Sequence, residues 1–86
     1  MKKGRAEIQA ITDHVAASIS AIRKEHGLSI LKLAELAGVT QTGLSYVEKG
    51  ARKPTLHYLL QVCKALEIDL WPLLKEAEKA VNKTAK

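Results

Sequence analysis

Apolar residues along this 86-residue chain recur at helical intervals and nowhere alternate as a strand would. Ile8, Ile11, Val15, Ile19 and Ile22 fall three or four residues apart, which predicts a first helix running to a stop at His26-Gly27. Its start is open: as early as Ala6, or at Thr12-Asp13 with those residues as the cap. Ser29 is expected to cap a second helix through Leu36, ended by Gly38, and Thr40 a third through Lys49, closed by Gly50. Pro54 and Thr55 open a fourth, with Leu56, Leu59, Leu60, Cys63 and Leu66 on one face. Asp69 is the expected cap of a fifth, placing Pro72 in its first turn, where a missing N–H costs least. The reading is an all-α chain of five helices with short connections and a polar tail at residues 82–86.

Residues 28–50, LSILKLAELAGVTQTGLSYVEKG, constrain the architecture further. Ala34 is small, as a residue beneath a closely crossing helix must be. Gly38 can take the left-handed backbone of a very tight turn, which costs a side-chained residue about 1 kcal/mol or more. Leu33, Ala37, Val39, Leu44 and Val47 point inward and seal the angle. Each residue alone is common. In register they specify two helices crossing steeply at a short turn, a helix-turn-helix. Gly43, inside the second helix of the pair, costs about 1 kcal/mol relative to Ala, and the sequence does not say what offsets it.

With its flanks, this stretch resembles the phage-repressor and Cro-like helix-turn-helix domains. The resemblance runs from about Val15 to Glu76. It takes in the Glu48-Lys49-Gly50 close, the Arg52-Lys53-Pro54 loop and the run LLQVCKALEI. It implies a compact five-helix lambda-repressor-like DNA-binding domain at residues 13–76. An N-terminal extension at 1–12, either separate or helical and continuous with helix 1, would precede it. The end of the C-terminal helix and the tail, 77–86, would follow.

The resemblance also implies that the third helix, 41–49, enters the major groove of double-stranded DNA. Thr40, Gln41, Thr42, Ser45 and Tyr46 would face the bases, although a Tyr at position 46 can equally lie at the core edge. Gln41 can pair with an adenine edge, and the methyls of Thr40 and Thr42 can touch thymine. The alternative is that these residues only solvate an outer face. Ser29, Lys49, Arg52 and Lys53 would meet phosphates. The family further places a buried ion pair at the positions of Arg23 and Glu48. The pattern departs at Ile30, where the family has a phosphate-anchoring Gln, and at the apolar Leu31 and Leu36. Cover for that surplus is expected from the N-terminal extension or from a partner chain.

Composition narrows the partners. Fourteen Lys and Arg against nine Asp and Glu give +5, which favours a polyanion, either nucleic acid or an acidic membrane surface. Tyr46, Tyr58 and Trp71 are the aromatic residues, so the core must be aliphatic. Cys63 stands alone and reads as a buried, inert thiol. His14, His26 and His57 have no ligand spacing, so no metal or cofactor is expected. No paired carboxylates or Ser/His/Asp set argue for an enzyme. No apolar run approaches the ~18 residues of a membrane span, and Glu7, Gln9 and Asp13 break up the N-terminus, so a cytoplasmic protein is expected.

A domain this small reads few base pairs, which suggests a homodimer on a palindromic operator. Leu70, Leu73 or Leu74, Ala77 and Val81 form a seam for it, with Trp71 beside them. Otherwise Trp71 folds back on its own first helix. The leading function is a transcriptional regulator. The second is an antitoxin-type module that neutralises a partner protein, suggested by Ile30, Leu31, Leu36 and Trp71.

Overall fold

Three helices begin where a hydroxyl accepts an N–H that the helix would leave unpaired. Ser29 Oγ accepts from the Lys32 amide, Thr40 Oγ1 from Gly43 and Thr55 Oγ1 from Tyr58, each at 3.0 Å. The computed structural model describes residues 2–84. Its helices are α1 Lys2–Glu25, α2 Ile30–Ala37, α3 Gln41–Glu48, α4 Leu56–Ala65 and α5 Trp71–Thr84, and no strand occurs among the described residues.

Several boundaries differ from expectation. Thr12 and Asp13 lie inside α1 rather than at its start. Thr12 Oγ1 donates to the Ile8 carbonyl and Asp13 Oδ1 accepts from Gln9 Nε2, both at 2.9 Å, so their polar groups bond within the helix instead of capping it. At α5, the Leu70 carbonyl accepts from Leu73 and Leu74, which makes Leu70, not Asp69, the cap position. That helix continues through residues 82–84, expected as tail, because neither Gly nor Pro interrupts it. Met1, Ala85 and Lys86 lie outside the described residues.

The end of α4 carries a strained residue. Glu67 has φ 60°, and the amides of Glu67 and Ile68 bond to the carbonyls of Lys64 and Cys63. This double closure normally uses Gly. Gly38 does so at the end of α2, with φ 73° and its amide on Glu35.

The core is aliphatic. Val15, Ala16 and Ile19 of α1 meet Leu33, Ala34 and Ala37 of α2, Leu44 and Val47 of α3, and Leu59, Val62, Cys63 and Leu66 from the α4 region. The inward face of α4 is therefore rotated from the one expected. Val62 is buried, whereas Leu56 and Leu60 are exposed. Ile8 is exposed too, one turn beyond the part of α1 that the core covers. Leu70 at 6% exposure and Ala77 at 0% belong to this core. Both were expected in an intermolecular seam. The chain's own core takes them up instead. Ile22 shares a recess with Pro72 and Leu73, so the end of α1 meets the start of α5 and the two run antiparallel. Burial pushes the Cys63 thiol up from its ordinary pKa, with Lys64 opposing.

Candidate nucleic-acid interface

Helix α3 is short, and eight residues are marginal as an isolated helix, so its surroundings must fix it. Leu44 and Val47 anchor its inner face in the core. Its C-terminal end is held by charge. Arg23 Nε donates to Glu48 Oε2 at 2.8 Å and Nη2 to Glu48 Oε1 at 3.0 Å, with the two side chains only 9% and 7% exposed. The third arm of the guanidinium, Nη1, donates to the Leu28 carbonyl at 2.8 Å. One side chain thus ties the end of α1, the turn into α2 and the end of α3. This fork geometry is specific to Arg. A further tie joins Gln61 Nε2 of α4 to the Ala37 carbonyl at 3.3 Å, just before the turn between α2 and α3.

The outer face of α3 is polar. Gln41, Thr42 and Tyr46 are exposed with Thr40 at the cap, and Ser45 is half-buried. The Thr40 hydroxyl accepts the Gly43 amide as the cap, leaving its O–H proton and its methyl for any outside contact. Tyr46 stands on the surface rather than in the core. The Arg52 guanidinium lies 5.7 Å from its ring centroid, within cation–π range.

Gly43 has a reason that the sequence did not disclose. A Cβ there would stand 2.8 Å from Thr40 Oγ1 and 3.1 Å from Arg52 Nη1, with Tyr58 Oη at 3.8 Å. The missing side chain makes the notch in which Arg52 rests on the helix. Tyr58 points its hydroxyl into the same place, buried and without a hydrogen-bond partner. Burial raises its pKa, the Arg52 charge lowers it and Glu48 raises it.

The flanking residues expected at phosphates are arranged as follows. Ser29 is exposed at the α2 cap, Lys49 is exposed at the end of α3, and Arg52 and Lys53 are exposed in the following loop. Arg52 leans onto α3, whereas Lys53 lies beside Arg5, Gln9 and Thr12 of α1. Ile30 packs half-buried against the core. Leu31 and Leu36 remain exposed, and the N-terminal half of α1 does not supply the cover expected of it, because it lies against the loop. Of the expected dimer seam, Trp71 is 64% exposed and Leu74 and Val81 are half-buried. Trp71 does not fold back on α1. It shares a recess with Leu56, Leu60 and Leu74, and Lys75 Nζ stands 5.9 Å from its ring centroid. Composition and spacing do not single out Leu56 and Leu60 for this surface, because helical spacing places both with Leu59 and Cys63 on one face of α4.

No group of three or more His, Cys, Asp or Glu among the described residues is placed to hold a metal ion. No helix among them is long and apolar enough to cross a membrane.

The helix-turn-helix family model HTH_3 matches residues 19–70. The HTH-type transcriptional regulator SinR of Bacillus licheniformis is 36% identical over 61 residues, 70% of this chain and 55% of that protein. SinR of Bacillus subtilis (strain 168) is 37% identical over 59 residues, 67% of this chain and 53% of that one. The uncharacterized HTH-type transcriptional regulator y4dL of Sinorhizobium fredii is 30% identical over 59 residues, 69% of this chain and 30% of that protein. The chain therefore spans between 30% and 55% of the length of these curated relatives. The crystal structure of the clp gene regulator ClgR from Corynebacterium glutamicum is similar at a TM-score of 0.76 and 27% identity, covering 87% of this chain and 80% of that one. The chain belongs to the helix-turn-helix family, in its phage-repressor and Cro-like form.

Proposed function

We propose that this helix-turn-helix protein is a sequence-specific, double-stranded-DNA-binding transcriptional regulator that places α3 in the major groove. The observation that carries the reading is the polar outer row of α3, Gln41, Thr42 and Tyr46, on a helix whose back is fixed by Leu44, Val47 and the buried Arg23–Glu48 pair. A row of polar side chains on a helix fixed in advance can match base edges without the cost of ordering that helix on binding. Lys49, Arg52 and Lys53 flank that row and supply phosphate affinity without sequence preference, with Ser29 at the N-terminus of α2. The SinR proteins bear the name of transcriptional regulators, which agrees with this role.

The regulator acts as a homodimer on a palindromic operator in the cytoplasm. Trp71, with Leu56, Leu60 and Leu74, is the surface for the second copy, and Val81 continues it along α5. Selection of bound duplexes from a random pool tests the reading. It should enrich an inverted repeat whose half-site centres lie about 34 Å apart. Recovery of no sequence preference would overturn it. Light scattering should give a dimer mass that Trp71→Ala lowers, and a monomer unaffected by that substitution would remove the dimer.

A second reading rests on Leu36 and Leu60, which line one recess beside His57, away from the polar row. Such a surface suits capture of a partner protein, as an antitoxin captures its toxin. Stoichiometric complex formation that Leu36→Ser abolishes while DNA binding persists would establish it.

A further inference from the structure

The loop after α3 reaches in two directions. Arg52 turns onto α3, over the Gly43 notch and the Tyr46 ring. Lys53 turns the other way and lines a surface recess with Arg5, Ala6, Ile8, Gln9 and Thr12 of α1. The loop rests on α1 at a second point, where the Asp13 carboxylate stands 3.4 Å from the place a Cβ on Gly50 would occupy.

Arg5 and Lys53 are both exposed, yet they share one recess. Among the described residues the ion pair present is Arg23–Glu48, so no carboxylate neutralises either cation. The nearby Asp13 carboxylate accepts from the Gln9 amide and keeps its charge, but among the described residues it forms no ion pair with Arg5 or Lys53. Two like charges lining one recess are relieved by an anion lying between them. Lys53 also follows Lys49 and Arg52 in the segment that leaves the end of α3, and all three are exposed. Arg5 lies outside residues 19–70, the part of the chain that the family model describes.

We infer that Arg5 and Lys53 form a phosphate-binding pair, which carries the DNA interface from α3 across the loop onto the N-terminal half of α1. The inference rests on the DNA-binding reading above. It makes the extension of α1 a second track of backbone contact, adding affinity but no base readout.

The test uses the full chain and two probes, a selected specific duplex and a mixed-sequence duplex, titrated between about 50 and 200 mM salt. Gln and Arg have similar helix propensity, so Arg5→Gln keeps the fold, which circular dichroism checks. Arg5→Gln should weaken binding several-fold on both probes alike, and should flatten the log–log salt slope by about 0.9, the value for one phosphate contact. Arg5→Lys should restore the slope. Lys53→Gln should act in the same way, and the double variant should lose less than the sum of the two. An unchanged slope in Arg5→Gln beside a flattened slope in Lys53→Gln overturns the inference and leaves the DNA-binding reading standing. A wild-type chain that binds neither probe removes that reading, and the inference with it.

Discussion

The outward side chains of α3 are Gln41, Thr42 and Tyr46, whereas those at the corner of α4 and α5 are Leu56, Leu60 and Trp71. Both rows stand on helices whose inner faces are fully packed. On α3 the packing is completed by an ion pair that fixes the helix end, so its polar row is held in place before any ligand arrives. At the α4–α5 corner the core is already closed by Leu59, Val62, Cys63, Leu70 and Ala77, and the apolar row lies outside it. Those leucines and Trp71 keep 40–64% of their surface exposed in the single chain. Exposed apolar side chains clustered on one surface are what the proposed contact with a second chain would cover. One face is thus built for hydrated, directional contacts and the other for burial.

The largest expected effect breaks the first face at its base. Arg23→Ala leaves the Glu48 carboxylate buried without its partner, and should cost about 3–5 kcal/mol of stability by urea denaturation. Trp71→Ala in the same assay, read at monomer concentrations, should fall within about 0.5 kcal/mol of wild type. Comparable losses in the two variants would dissolve the distinction between a clamped helix and a free corner.

Next comes readout. Gln41→Ala should cost about 1–3 kcal/mol on a selected duplex while hardly changing binding to mixed-sequence DNA. Equal losses on both would reduce Gln41 to a solvated surface residue.

Gly43→Ala sharpens the account of how the polar row is supported. Helix propensity alone predicts a gain of about 1 kcal/mol. The new methyl would press on the Thr40 cap hydroxyl and on Arg52, so the gain should be cancelled or reversed, and Arg52 should leave the Tyr46 ring. A full propensity gain in thermal unfolding would show that the notch is slack.

The smallest effect is alkaline. Burial raises the pKa of Cys63 and, more than Arg52 lowers it, that of Tyr58. The folded chain therefore holds these protons to higher pH than the unfolded chain does. Their contribution is fully present below the ordinary values of 9.0 and 10.0 and is lost as pH rises beyond them. Urea midpoints should accordingly decline above that range, more shallowly in Cys63→Ala. A flat profile in the wild-type chain would contradict the burial of both groups.

What the sequence determined by itself was local. Ser29, Thr40 and Thr55 cap their helices, and Gly38 turns left-handed between α2 and α3, because each event involves only a few successive residues. The aliphatic core and the inward Leu33, Ala34, Leu44 and Val47 were legible for a related reason, since a very short turn leaves two helices few ways to pack. The Arg23–Glu48 contact spans 25 positions in the chain, and the family resemblance, not the pattern of residues, pointed to it. Tertiary structure alone decided which apolar residues were covered. Leu56 and Leu60 lie outside while Val62 lies inside, and Ala77 is buried in the chain's own core. A helical stripe says that one side of a helix is apolar, but only the neighbour laid against it selects the buried edge of that stripe. The same limit hid the Gly43 notch and the recess that Arg5 and Lys53 share, for each depends on how closely two distant segments approach.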